Sequence, residues 1–101
     1  MTDSRIKMLP IQWRLEALAD LTSILDYIAQ RNKTAARDLH RAIDRAVSNL
    51  PGSPYLYRAG RVPGTRELVV HSNYLVIYRI TPAFIEIVAV AHTRQRYPTG
   101  A

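Results

Sequence analysis

The sequence predicts an α+β fold in the order β-α-α-β-β-β, a helical hairpin packed on a small, twisted, mostly antiparallel sheet. Three observations carry that expectation. Apolar residues recur at helical spacing from residue 15 to residue 50, and in short β-like runs from residue 65 onward. Only two or three residues separate the two helical stretches, which forces an antiparallel hairpin. The late runs are joined by links so short that they too must be hairpins. A chain of 101 residues makes one domain, residues 1–101, with a modest core.

Met1 to Lys7 is polar and expected to fray. Met8 to Trp13 is short, apolar and β-compatible, and Pro10 suits an edge. The period then changes. Leu15, Leu18, Leu21, Leu25 and Ile28 fall on one helical face, widened by Ala19 and Ile24. Glu16 and Asp20 sit in the early turns, where a carboxylate suits the helix dipole. This helix should fade near Arg31-Asn32. Thr34 is the expected N-cap of the second helix. Its apolar stripe is Ala35, Leu39, Ala42, Ile43, Ala46, Val47 and Leu50, and Pro51-Gly52 stops it. Arg37, Asp38, Arg41, Asp44 and Arg45 decorate the other side as a solvated face. Asp38 and Asp44 are each three residues from Arg41, so mutual pairing is expected.

Residues 51–64 form a long loop rich in Gly, Pro, Tyr and Arg, and loops of that length in small domains tend to be functional or mobile. Strands follow at roughly 65–71, 73–80 and 84–92. In the middle one, Leu75 and Ile77 face one way, and Tyr74, Val76, Tyr78 and Ile80 the other. Both faces are apolar, which makes the strand central. By simple alternation Glu86 shares a face with Val88, Val90 and His92.

The formal net charge is +6, which attracts nucleic acid, an acidic protein or an anionic surface. Residues 52–101 hold six Arg, two Glu and no Lys. Arginine offers a planar fork that suits phosphate or carboxylate. The chain has no Cys, so thiolate chemistry and disulfides are excluded. His40, His71 and His92 lack metal-ligand spacing, and no cofactor is expected. No apolar run approaches a membrane span, and no signal peptide is evident, so a cytoplasmic protein without membrane partners is expected.

The candidate chemistry is a cationic surface of Arg58, Arg61, Arg66, Arg79, His92, Arg94, Arg96 and Tyr97, delivered by the late strands to a single rim. RNA cleavage needs a base for the 2′-hydroxyl proton, cations for the crowded phosphorane and an acid for the leaving oxygen. His92 and Tyr97 are the proton-transfer candidates, with Arg66, Arg79 and Arg94 for charge. The same surface could instead clamp an acidic protein or a nucleic-acid backbone. Tyr55, Tyr57, Tyr74, Tyr78 and Trp13 read as packing residues.

From Met8 to Pro98 the chain resembles the RelE/ParE superfamily of toxins from type II toxin–antitoxin systems. The likeness lies in the order of Leu15-Glu16-Ala17-Leu18-Ala19-Asp20-Leu21, Asp26-Tyr27-Ile28, Gly60 through Leu68, Asn73 through Ile80, and His92-Thr93-Arg94-Gln95-Arg96-Tyr97-Pro98. The resemblance implies the β-α-α-β-β-β fold already derived. RelE-like members resemble ribosome-dependent mRNA endonucleases, whereas ParE-like members poison DNA gyrase. The RelE pattern places basic residues at alternate positions of the second strand, and another directly after the tyrosine that opens the third. Arg66 fills the first position, but Leu68 occupies the next and Leu75 follows Tyr74. The resemblance therefore implies the ParE-like branch: a gyrase inhibitor, not an enzyme, that arrests growth, serves plasmid or chromosomal stability and is neutralised by a cognate antitoxin. The antitoxin's C-terminal segment would wrap the domain. The alternative is a ribosome-dependent mRNA endoribonuclease using Arg66, Arg79, His92 and Tyr97.

Overall fold

A computed structural model describes residues 8–94. The expected order holds, with one more strand than the sequence predicts. The elements are β1 (Ile11–Trp13), α1 (Leu15–Ala29), α2 (Lys33–Ser48), a 3-10 turn (Leu50–Gly52), β2 (Arg58–Ala59), β3 (Arg66–His71), β4 (Tyr74–Ile80) and β5 (Ile85–His92). The sheet runs β1-β5-β4-β3-β2. All pairings are antiparallel except β1 with β5, which is parallel, with Ile11 opposite Ile85 and Trp13 opposite Ile87. That parallel pair needs a long crossover, and the helical hairpin supplies it. The predicted 51–64 loop thus contains a turn and a two-residue edge strand, Arg58 opposite Glu67 and Ala59 opposite Arg66. Two residues are too few to show a period, so the sequence gives no sign of β2.

The helical hairpin covers one face of the sheet. Ala17, Leu21, Leu39, Ile43, Val47 and Leu50 pack there against Leu68, Val76, Tyr78, Ile85, Ile87 and Val90. The predicted α1 face is rotated. Leu15 is 80% exposed and Leu18 43%, while Ala17 is fully buried. Ala17, Leu21, Ile24 and Ile28 form the tighter i, i+4, i+7, i+11 stripe, and the small Ala17 admits close approach to the sheet. In α2, Ala36 is buried where Ala35 and Ala42 are only partly so. Asn32, not Thr34, caps this helix: its side-chain Oδ1 accepts from the Ala35 N–H at 3.0 Å. The expected Asp38–Arg41 and Arg41–Asp44 pairs do not form among the described residues. Asp44 instead meets His40 at 3.6 Å.

The other sheet face carries a second buried cluster, Leu75, Ile77, Val88, Ala89 and Ala91. Alternation fails in β5 at one point. Ile77 pairs with Ala89 and Tyr78 with Ile87, which leaves Val88 bulged out. One extra residue shifts everything after it to the opposite face. Glu86 and Val88 therefore share the face away from the helices, while Val90 joins the helical core, contrary to the alternation expected from the sequence.

Candidate functional site

Ionic chemistry clusters at one end of the sheet. Glu67 stands on β3 opposite Ile77, on the face away from the helices. Its side chain is only 4% exposed. A buried carboxylate requires partners, and the loop before β3 provides them. Arg58 donates to it at 3.1 Å, the Arg61 side chain at 2.9 Å and the Arg61 backbone N–H at 3.1 Å. Burial pushes this carboxyl up, but the Arg61 N–H and the two guanidiniums outweigh burial, so it titrates below the usual range.

One strand pair further on, Glu86 is held the same way. Arg79, directly opposite on β4, donates at 2.6 Å, and Arg14, just after β1, approaches at 3.2 Å. The Arg14 hydrogen bond is the main reason the Glu86 carboxyl titrates low; burial opposes it and Arg79 adds to it. Each acid of the second half is thus shared by two arginines, and each cluster keeps a net positive charge.

Arg66 has a different role. Its guanidinium donates to the backbone carbonyls of Tyr57 at 2.7 Å and Tyr55 at 3.2 Å, and lies over the Tyr55 ring at 5.1 Å. Opposite it, fully buried Tyr78 donates its hydroxyl to the Pro54 carbonyl at 2.6 Å. Burial pushes that phenol up to about 12, so it remains a donor. Together these two side chains pin the 54–57 segment above an open cavity of about 310 Å³ lined by Tyr55, Ala59, Gly64, Thr65, Arg66 and Ile80.

The opposite end of the sheet carries imidazoles. Tyr74 lies between His71 and His92, with ring centroids 6.0 and 5.2 Å away. His71 Nδ1 accepts from the Asn73 N–H and His92 Nδ1 from the Arg94 N–H, each at 3.1 Å. In a neutral ring bonded this way the proton is on Nε2, which makes that atom a donor rather than a base.

The expected single rim is therefore two separate places. Arg58, Arg61, Arg66 and Arg79 share one end of the sheet; His92 and exposed Arg94 share the other. Arg96 and Tyr97 lie outside the described residues. Sequence reasoning missed Glu67 and Glu86 as partners of the cations, and Arg14 as a further cation on Glu86. The signal was available, because two acids amid six arginines, each within a strand, must find a counter-charge. It also missed Asp20. This carboxylate accepts from the Val90 N–H on β5 at 3.1 Å, where no strand of the sheet continues, and burial raises its pKa.

The helical hairpin packs on one face of the five-stranded sheet, and Arg14, Arg58, Arg61 and Arg79 gather with Glu67 and Glu86 away from it. Residues 11–97 match the family of the ParE toxin of type II toxin–antitoxin systems, parDE, and the chain belongs to that family. Among its relatives, Putative toxin Y4kP of Sinorhizobium fredii is 38% identical over 89 residues, 87% of this chain and 92% of that protein. Toxin RelE2 of Caulobacter vibrioides is 34% identical over 85 residues, 84% of this chain and 96% of that one. In fold, the chain resembles a chain of the chromosomal ParDE system from P. aeruginosa, with TM-score 0.74, 22% identity, and coverage of 84% and 96%. A YoeB/ParE toxin from Agrobacterium tumefaciens follows at TM-score 0.60 and 14% identity, covering 83% and 98%. The protein is a toxin of a type II toxin–antitoxin system, of the ParE/RelE superfamily. Among the described residues no helix is long and apolar enough to cross a membrane.

Proposed function

We propose that this toxin acts in the cytoplasm as a ParE-like binding inhibitor of DNA gyrase, not as a nuclease, and that a cognate antitoxin neutralises it. The separation of Arg79 from His92 carries this reading. Arg79 is five residues along β4 from Tyr74, the partner of His92, and at about 3.3 Å per residue that is roughly 17 Å. Phosphodiester cleavage needs the cation and the proton-transfer group at the same phosphate, and of Arg66, Arg79 and Arg94 only Arg94 stands at the His92 end. Two further positions agree. Leu68 and Leu75, where the nuclease pattern has cations, are both buried in apolar clusters.

On this reading Arg58, Arg61, Arg66, Arg79, His92 and Arg94, with Arg96 and Tyr97 beyond the described residues, contact the target or the antitoxin. The antitoxin has apolar footholds at exposed Leu15 and Leu18 on α1, and at Leu56 and Val69. It also has the outer edge of β3 beyond Glu67, where β2 has ended. Induced expression tests the proposal in cells. DNA-damage signalling and filamentation should come first, with protein synthesis intact. Early translation arrest without DNA damage would instead favour the mRNA endoribonuclease alternative.

A further inference from the structure

We propose that the exposed face of α2 is a docking surface for the phosphate backbone of duplex DNA. Lys33, Arg37, Arg41 and Arg45 recur every fourth residue and all four are exposed. Successive members rise about 6 Å along the axis, so the row spans about 18 Å. No ion pair or side-chain hydrogen bond engages any of the four among the described residues. Two acids share this helix, Asp38 and Asp44, the latter 3.6 Å from His40, and the four cations outnumber them.

Helix stability does not explain the row. Lys33 opens α2 at its positive dipole end, and no acid stands in the first turn. Each i, i+4 step in the row also sets like charges side by side, which destabilises a helix. Arg45 in the last turn suits the helix dipole, but Lys33 and the three like-charge steps oppose the helix that carries them, whereas the Arg–Glu clusters on the sheet support their loops.

The choice of partner follows from what the face lacks. A protein interface needs an apolar core, and none of the exposed large apolar residues is on α2; they are Met8, Leu15, Leu18, Tyr27, Tyr55, Leu56 and Val69. Single-stranded nucleic acid is gripped by stacked aromatics, and α2 has no Phe, Tyr or Trp. A duplex presents a regular, unbroken line of phosphates along each strand, which a line of evenly spaced cations can follow. The inference does not depend on the gyrase reading, since it rests on α2 alone.

The test measures binding of the full chain to a labelled random-sequence DNA duplex by fluorescence anisotropy across a salt series. Four phosphate contacts predict a slope of about −3.6 in log K against log salt, and an affinity loss of about 100-fold between 50 and 200 mM. In the variant K33Q/R37Q/R41Q/R45Q the slope should shrink by about 3 to 4. The charge-keeping variant K33R/R37K/R41K/R45K should bind like the wild type. Circular dichroism should show both variants folded, with the glutamine variant at least as stable as the parent because its like-charge pairs are gone. An unchanged slope in the folded glutamine variant overturns the proposal. So does a duplex RNA or a poly-glutamate peptide that binds as tightly as DNA and depends on the same four residues.

Discussion

Replacing Glu67 by Gln keeps the shape of the side chain and removes its charge. The carboxylate accepts three hydrogen bonds, two from guanidiniums and one from the Arg61 backbone. A hydrogen bond to a charged group contributes about 1.5–3 kcal/mol and a neutral one about 0.5–1.5. The single oxygen of Gln can still accept from the Arg61 N–H and, more weakly, from the Arg61 side chain, but its NH2 group faces the Arg58 guanidinium and that bond is lost, at about 1–1.5 kcal/mol for each guanidinium. The Arg58 side chain is 61% exposed, so water screens part of its share. The net cost is about 2 kcal/mol, equivalent to a fall in Tm of about 10 °C for a domain of this size. The pH dependence has a definite sign. The folded carboxyl titrates below its ordinary value, so its contribution is present above the unfolded pKa and is lost as pH falls through the folded one. Urea unfolding of wild type and variant, at neutral pH and down through the carboxylate range, checks both points. The gap should be widest at neutral pH and close on acidification. Equal stability at neutral pH, or a gap that does not change with pH, refutes the idea that Glu67 locks the 58–61 segment through charge.

Three further substitutions probe other parts of the structure. Tyr78→Phe removes the hydroxyl bonded to Pro54 and should cost about 1 kcal/mol, with faster amide exchange in residues 54–57. Gly60→Ala places a Cβ against Thr65 Oγ1, which is itself bonded to Val62; thermal denaturation should show a loss on the order of 1–3 kcal/mol. Asp20→Asn keeps an acceptor for the Val90 N–H while removing a charge whose pKa is raised mainly by burial. Folding disfavours that charge, so the variant should gain on the wild type as pH rises through the folded pKa, and the two should converge in acid.

Most of the architecture was legible because helices and strands of ordinary length show their periods. The 3.6-residue repeat located both helices, and hairpin-length links fixed the antiparallel order of the last three strands. The errors share a physical origin: apolar surplus lets more than one arrangement satisfy the pattern. Leu15 and Leu18 complete a plausible stripe on α1, yet Ala17 is the residue that fits the sheet. Val88, Ala89, Val90 and Ala91 suit either face, so the bulge at Val88 leaves no mark in composition. Asn32 and Thr34 are both good caps, and only the chain path decides between them. In the site, the arginines were visible but their destinations were not. Whether Arg66 reaches a ligand or the carbonyls of Tyr55 and Tyr57 depends on the course of a segment without regular period. The distance between Arg79 and His92 follows from their positions on paired strands, and alternation alone does not supply it.

The central claim concerns the target. The most direct measurement titrates the purified toxin into gyrase supercoiling and cleavage reactions, with a ribosome-programmed mRNA cleavage reaction run in parallel. Loss of supercoiling or accumulation of cleaved DNA, with intact mRNA, is the predicted result. Cut mRNA beside unaffected gyrase contradicts it, and would mean that His92 and Arg79 act together despite lying at opposite ends of the sheet.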